Sequence, residues 1–409
     1  MAKGIGRNGE LFRQLCDPGW LIACAREAAR GKRRRPDAAR FLLDLEPECF
    51  RLADALAAGA WRPGTYRTFR IREPKPRLIS AAPFADRVVR HALVGVMEPH
   101  FERRFVAHSY ACRVGKGTHR ALRRAAHLSR VRRFVLKGDV VKFFPSVDHQ
   151  VVLGEVQRVI ADQRVLQVLE LVVRGACPQE PVLAWYPGDD LFEPAVRRRG
   201  LPIGNLTSQF LANVLLDRLD HAVMDGMGCG DYVRYCDDFL VFGDDADRLW
   251  QVRQGIVRVL AGLRLSLHER KGGVHATRGV IPFLGFTIRQ GQCRMQRPGV
   301  VRATRRLRRS VQAARCGELA RPVLLSRLAA WMGHAQHASS SRVVTGVLER
   351  AGLVGIFSEA AIRKRLWPCV ARRQLEQQLQ QLPRVEPQQQ HARQPQQQHR
   401  FSSREHAAR

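Results

Sequence analysis

The feature of this chain that most constrains its fold is an acidic break between two short apolar runs within residues 232–242. Both runs are rich in β-branched and aromatic residues, which favour strands. Asp237 and Asp238 lie in the break, so the segment predicts a hairpin that carries two carboxylates at its turn. Mg²⁺ binds carboxylate oxygens at short range and with strict geometry. The hairpin therefore indicates a divalent metal site and chemistry on phosphates.

Two other Asp-Asp pairs in the chain have a simpler interpretation. Asp189 and Asp190 follow Tyr-Pro-Gly, which is a loop signal. Asp244 and Asp245 precede a predicted helix, whose dipole favours acidic residues near its start. Only the pair at 237–238 has a predicted strand on each side, and this context separates it from an ordinary surface turn.

The chain is strongly basic along its whole length. Its 409 residues suggest two or three domains and include 69 Lys and Arg against 37 Asp and Glu, a formal net charge of +32. Arginine clusters recur at 33–35, 197–199 and 305–309, so a charged tail does not explain the excess. A solvated basic surface is the simpler interpretation, but an excess of this size is typical of proteins that bind nucleic acid.

The cysteines and the apolar runs bear on the compartment. None of the ten cysteines forms a Cys-x-x-Cys pair, and the closest spacings do not fit zinc ligands. They are expected to be small buried hydrophobic residues or free thiols, which suits a reducing compartment. No segment resembles a signal peptide or reaches membrane-spanning length. We therefore expect a cytoplasmic protein with no membrane partner.

The hydrophobic periodicity predicts mainly helices, with four strand or hairpin segments between them. The predicted helical segments are 1–60, 86–105, 148–174, 208–224, 246–263 and 300–353. The predicted strands and hairpins are 66–79 with a basic turn, 133–139, 232–242 and 281–288. Residues 175–200 predict a long loop. The Gln-rich segment after residue 372 predicts a partly disordered tail.

A third carboxylate is expected beside the Asp-Asp hairpin. Asp139 ends a short apolar strand about a hundred residues earlier, and a helix-rich segment separates the two. Such strands converge on one sheet in a split β-α-β arrangement. Three carboxylates at neighbouring strand ends can hold two Mg²⁺ ions, which stabilise the attacking and leaving oxygens of an in-line displacement. The pattern indicates a polymerase or a nuclease.

At this point the sequence resembles the reverse transcriptase family. Five segments match the family's motifs in order, and the match covers about residues 60–290. They are Arg72-x-x-Lys75-x-Arg77 of the fingers hairpin, 137–149 around the first catalytic aspartate, 235–238 of the palm, 265–271 after the palm hairpin, and 283–286 of the primer grip. The resemblance implies an RNA-directed DNA polymerase that copies an RNA template from a primer into cDNA, with dNTPs as substrates.

The resemblance also implies an α+β fold of the right-hand polymerase type, with fingers, a ferredoxin-like palm and a helical thumb. The implied segments are an N-terminal helical extension at 1–60, fingers and palm at 61–299, a thumb at 300–355, and a basic Gln-rich tail at 356–409. Within the polymerase region, the fingers are expected at 60–135 with 150–200, and the palm at 136–149 and 201–299.

The catalytic roles follow from the same resemblance. Asp139, Asp237 and Asp238 are expected to act in catalysis and, with the neighbouring Val140, to form the metal site for two Mg²⁺ ions, with Mn²⁺ as an alternative. Lys271 is expected to protonate the leaving pyrophosphate, as a general acid must lie near its leaving group. A lone lysine in so basic a chain is otherwise a solvated charge.

Four further positions are expected to bind the substrate. Arg72, Lys75 and Arg77 should contact the incoming phosphates through charge-assisted hydrogen bonds, the alternative being an exposed basic turn. Phe144 lies five residues after Asp139, where the family places the ring that excludes a ribose 2′-OH, although it could equally be a core residue.

One loop narrows the resemblance. At residues 201–209 the chain has Ile203 where group II intron and retroviral enzymes carry Gln, and Gln209 where they carry Pro. This form is similar to the error-prone reverse transcriptases of diversity-generating retroelements, and it places Ile203 and Gln209 beside the nucleotide. A group II intron-like or phage-defence enzyme is the alternative, and a catalytically silent RNA-binding protein is the alternative of another class. A small accessory protein is a possible partner.

Overall fold

The computed structural model describes residues 9–72, 76–175, 184–269, 271–339 and 341–353. It divides into two compact units, one up to Arg294 and one from Met295 onward. Lys75 and the Gln-rich tail of the sequence analysis lie outside the described residues. Across the described part, no helix combines the length and apolarity needed to cross a bilayer.

The first unit begins with four helices, in agreement with the helical periodicity of residues 1–60. They are α1 (Glu10–Leu15), α2 (Pro18–Ala28), α3 (Pro36–Leu43) and α4 (Leu45–Ala57). Asp17 caps α2 by accepting a hydrogen bond from the backbone N–H of Trp20 at 2.6 Å. Leu15, Leu21 and Leu56 are buried, and each fully buried leucine contributes about 1.5–3 kcal/mol of transfer free energy.

The remaining elements of the first unit alternate between helices and three small sheets. The helices are α5 (Phe84–Glu102), α6 (Thr118–Val131), α7 (Phe143–Ser146), α8 (His149–Gln157), α9 (Gln163–Arg174), α10 (Glu193–Val196), α11 (Leu206–His221), which continues as a π-turn (Ala222–Gly226), and α12 (Ala246–Gly262). The strands are β1 (Arg67–Ile71), β2 (Arg77–Ala81), β3 (Phe134–Asp139), β4 (Tyr232–Tyr235), β5 (Asp238–Gly243), β6 (Gly273–Ala276), β7 (Ile281–Phe283), β8 (Phe286–Arg289) and β9 (Gln292–Met295).

The central sheet has the strand order β4-β5-β3-β6. Both β3 and β4 run antiparallel to β5, which lies between them, so β3 and β4 are parallel to each other. This is the split β-α-β topology that the sequence predicted. Gly138 of β3 lies opposite Phe239 of β5, and an added Cβ would approach the Phe239 ring to 2.1 Å. Glycine is therefore required there for the two strands to pair closely.

The predicted single helix over residues 148–174 is wrong. The chain forms two helices, α8 and α9, and the break between them ends at Asp162. Asp162 caps α9 by accepting hydrogen bonds from the N–H groups of Arg164 and Val165, and its second oxygen accepts one from Phe12. The apolar periodicity continues on both sides of the break, which is why periodicity alone joined the two helices.

The second unit contains α13 (Arg297–Arg315), α14 (Arg321–Ala335) and α15 (Ser341–Arg350). Their apolar faces bury Leu307, Val311, Leu324 and Leu328. The predicted helical segment 300–353 is thus interrupted twice. Arg327 is exposed and donates a hydrogen bond to Ser310 Oγ on the neighbouring helix at 2.9 Å.

Candidate active site

The predicted acidic hairpin is formed by β4 and β5, with Cys236 and Asp237 as its two-residue turn. Cys236 has a φ of 57°, the positive value that the first position of a type II′ turn requires. Asp139 and Asp238 face each other in the register of β3 and β5. The backbone N–H of Val140 donates to the Asp237 carbonyl at 3.2 Å. The sheet therefore brings the three aspartates to one edge.

Two lysines approach these carboxylates. Lys271 Nζ lies 3.5 Å from Asp139 Oδ2, although the two residues are far apart in the sequence. Lys137 Nζ lies 4.0 Å from Asp238 Oδ1 and donates a hydrogen bond to the Pro282 carbonyl at 2.6 Å. Sequence reasoning missed Lys137 as a site residue. Its position two residues before Asp139 on a strand, and hence on the same face of the sheet, was the available signal.

The environment of the acidic pair disfavours its ionised form. Burial raises the pKa of Asp238 to about 7; the charge of Lys137 opposes this shift, while Asp139 and Asp237 add to it. Burial likewise raises the pKa of Asp237 above its ordinary value, and the charge of Asp139 adds to the shift while that of Arg77 opposes it. Adjacent carboxylates that repel one another in this way form a site that favours a bound cation.

The carboxylate oxygens of Asp139, Asp237 and Asp238 are the candidate ligands for a divalent metal. Across the described residues, no three His, Cys, Asp or Glu side chains are grouped closely enough to hold an ion, so the trio is not a closed ligand cage. Asp238 Oδ1 is nevertheless buried with no hydrogen-bond partner, and the ammonium groups of Lys137 and Lys271 lie against the carboxylates. An orphaned carboxylate oxygen in an acidic cluster suits Mg²⁺ or Mn²⁺. Val140 is buried beside the trio.

A buried arginine forms a hydrogen bond with the turn that carries Asp237. Arg234 on β4 is fully buried and binds both carboxylate oxygens of Asp220 on α11, each at 2.6 Å. Its guanidinium also donates to the Cys236 carbonyl in the turn at 3.2 Å. The Tyr232 hydroxyl donates to Asp220 Oδ1 at 2.8 Å. The position of the acidic turn is thus set partly by a charge pair in the interior of the sheet.

The arginine has further partners that reach other parts of the unit. Arg234 donates to Ser109 Oγ at 3.0 Å and to Asn213 Oδ1 at 3.3 Å. Although burial by itself lowers the pKa of Arg234, the carboxylate and hydrogen bonds of Asp220 raise it above its ordinary value. Sequence reasoning missed this network, because nothing local distinguishes Arg234 from the many exposed arginines.

The segment before β6 places Lys271. The N–H of His268 donates to the Asp139 carbonyl at 2.8 Å, and the N–H of Val141 donates to the Ser266 carbonyl at 2.9 Å. These bonds extend the edge of β3 beyond its last residue. They hold the segment next to Asp139, which is why Lys271 reaches the carboxylate.

A second set of backbone hydrogen bonds connects the segments that carry the predicted substrate-binding residues Phe144 and Ile203. The N–H of Leu201 donates to the Phe144 carbonyl at 2.8 Å, and the N–H of Ser80 on β2 donates to the Ile203 carbonyl at 3.2 Å. The loop 200–205 therefore runs between the Phe144 segment and the β1–β2 hairpin. Phe144 is partly exposed, whereas Phe143 beside it is buried.

The remaining predicted contacts differ in how closely they reach the aspartates. Arg77, at the start of β2, acts electrostatically on Asp237. Arg72 is exposed just after β1, and Gln209 is exposed in the first turn of α11. Asn205 is buried and donates to the Ser80 carbonyl at 2.9 Å, so the loop is tied to the β1–β2 hairpin by side chain as well as backbone.

The comparison with known families agrees with this geometry. Residues 71–288, more than half of the chain, match the family model described as reverse transcriptase (RNA-dependent DNA polymerase). The matched region begins in the β1–β2 hairpin and includes the three aspartates and Lys271. The chain belongs to this family of enzymes, whose members act on an RNA template.

Three curated proteins illustrate the similarity. The protein YkfC of Escherichia coli is 25% identical over 333 aligned residues, which cover 69% of this chain and 83% of YkfC. The nuclear intron maturase 1 of Arabidopsis thaliana is 36% identical over 87 residues, covering 21% of this chain and 12% of the maturase. The group II intron-encoded protein LtrA of Lactococcus lactis is 22% identical over 182 residues, covering 44% of this chain and 28% of LtrA. The chain thus spans most of YkfC but less than a third of the other two.

Proposed function

We propose that this chain copies RNA into cDNA by nucleotidyl transfer at the edge formed by Asp139, Asp237 and Asp238. The observation that carries the proposal is the register that sets Asp139 opposite Asp238 next to the turn residue Asp237, within a reverse transcriptase family match. When two Mg²⁺ ions are bound, they neutralise the phosphates and stabilise the attacking and leaving oxygens. The protein's part is positioning and charge stabilisation.

The side chains around the trio have separate proposed roles. Arg72 and Arg77 bind the phosphates of the incoming nucleotide. Lys271, 3.5 Å from Asp139, gives its proton to the departing pyrophosphate. Phe144 presents a partly exposed ring that excludes a ribose 2′-OH. In this arrangement, the first unit supplies fingers and palm, and α13–α15 act as the thumb.

Primer extension on an RNA template tests the proposal. Asp237→Ala should abolish extension in Mg²⁺, because the carboxylate at the turn is removed while the strands that carry it remain. Asp225→Ala is the matched control, since this exposed aspartate on the π-turn pairs with His221 and lies outside the cluster of three. Extension by Asp237→Ala at the wild-type rate would contradict the mechanism, whereas failure of the wild type to extend the primer would favour a catalytically silent RNA-binding protein.

The subtype rests on the loop at 201–209. We propose the error-prone polymerase of a diversity-generating retroelement, because Ile203 removes the polar side chain that related enzymes place there. The intron maturase and the group II intron-encoded protein among the relatives favour the alternative, an intron-type enzyme. Sequencing of cDNA copied from an RNA of known sequence separates them. Misincorporation concentrated at template adenines supports the retroelement type, and uniformly faithful copying supports the intron type.

A further inference from the structure

An exposed face of α6 carries arginines that form no ion pair with the described residues. Between Glu102 and Asp139 the chain contains no acidic residue. Arg120, Arg123 and Arg130 recur at helical spacing on α6 and are exposed. We call these three arginines the α6 stripe. At about 1.5 Å per residue, the stripe extends over about 15 Å.

Three arginines near the stripe, by contrast, have partners within the unit. Arg113 binds Glu102 through two nitrogens, Arg124 donates to two backbone carbonyls next to β4, and Arg132 pairs with Asp231. Within the described residues, no carboxylate lies within ion-pair distance of a stripe arginine. Like charges one helical turn apart, such as those of Arg120 and Arg123, destabilise an isolated helix slightly, and no carboxylate among the described residues offsets that cost.

Contacts at both ends fix α6 against the catalytic sheet. At its start, Thr118 Oγ1 donates to the Tyr235 hydroxyl at 3.2 Å, one residue before the acidic turn. Near its end, Ser129 Oγ accepts a hydrogen bond from the Gly291 N–H at 2.9 Å, and Thr277 Oγ1 donates to the Arg132 carbonyl at 2.6 Å. The stripe therefore begins near the acidic hairpin and leads away from it on a rigid support.

We propose that the α6 stripe binds the phosphodiester backbone of the template RNA outside the catalytic edge. A row of exposed guanidinium groups without acidic neighbours is complementary in charge to such a backbone, and arginine suits phosphate through its planar, bidentate geometry. The identity of the strand as template rests on the proposed function. The contact itself is sequence-independent, because it involves phosphates alone.

The test is RNA binding by the triple variant Arg120→Gln, Arg123→Gln, Arg130→Gln. Each lost phosphate contact on a single strand lowers the slope of log affinity against log salt by about 0.7, so the slope should fall by about 2. Affinity for a long single-stranded RNA in low salt should fall at least about tenfold. The conservative variant with lysine at all three positions should keep both the slope and most of the affinity.

A matched control removes the same charge elsewhere. Arg26, Arg40 and Arg258 are exposed helical arginines, and their triple glutamine variant should lower the slope by clearly less. The thermal unfolding midpoint and far-ultraviolet circular dichroism of the stripe variant should match those of the wild type, which shows that it is folded. An unchanged slope, or one equal to the control's, would overturn the proposal. Failure of wild-type extension would instead contradict the proposed function, since binding is measured without catalysis.

Discussion

The buried pair of Arg234 and Asp220 offers the sharpest test of how the fold positions the acidic turn. Arg234→Met removes the hydrogen bonds to Asp220, Ser109, Asn213 and the Cys236 carbonyl. It leaves the buried Asp220 carboxylate with the Tyr232 hydroxyl as its remaining partner in this network. Loss of one partner from a buried ion pair costs about 3–5 kcal/mol, a large fraction of the stability of a domain.

The pair's contribution can be separated from simple packing by a double-mutant cycle. Asp220→Leu should be about as costly, because it leaves the Arg234 charge buried. The double variant should be more stable than the sum of the two losses predicts by about 2 kcal/mol or more, since no uncompensated charge remains. Urea unfolding gives the free energies, and Arg132→Met, in an exposed ion pair, is the control with a much smaller expected loss.

The same variants test the link to function. Because Arg234 donates to the turn carbonyl next to Asp237, Arg234→Lys should lower kcat for primer extension more than it changes the KM for dNTP. A loss below about 1 kcal/mol for Arg234→Met, or strictly additive losses in the cycle, would refute the reasoning. Unchanged kcat in a destabilised Arg234→Lys would show that the pair stabilises the fold without positioning the turn.

Three further predictions concern single side chains. Phe144→Val should increase ribonucleotide incorporation, measured by alkaline cleavage of the product, whereas Phe143→Val, at a buried position, should lower stability instead. Ile203→Gln should reduce misincorporation per copied template, and an unchanged error spectrum would remove this residue from base selection. Burial and the charge of Asp220 raise the pKa of Asp217 to about 6, so the folded chain loses stability as pH rises from about 4 through 6. Asp217→Asn should abolish that loss. Between pH 4 and pH 7, the free energy of unfolding of the variant should therefore rise relative to that of the wild type by up to about 3 kcal/mol. Parallel pH profiles of the two unfolding free energies would count against this assignment.

Much of the local structure was predictable. The alternation around Asp237 and Asp238 indicated two strands with a tight turn, and the structure has β4 and β5 with a two-residue turn. The strand ending at Asp139 and its convergence with the hairpin are confirmed. The family resemblance is confirmed by the match over residues 71–288. The division into fingers, palm and thumb stays a prediction, as do the individual catalytic and substrate-binding roles.

Other features escaped the sequence analysis for identifiable reasons. The break at Asp162 had a readable capping signal, but the apolar periodicity on both sides outweighed it. Lys137 belonged to a recognised motif, but its approach to Asp238 depends on how β3 pairs with β5.

The sequence by itself determined the acidic hairpin, the helical segments and the basic character of the chain, because these depend on residue types within a few positions of one another. Only the tertiary structure decided which charges meet. It pairs Lys271 with Asp139, buries Arg234 against Asp220 and leaves the α6 stripe exposed. Electrostatic energies depend on distance in space and on burial, and neither follows from separation along the chain. The raised pKa of Asp238 is therefore a property of the assembled sheet.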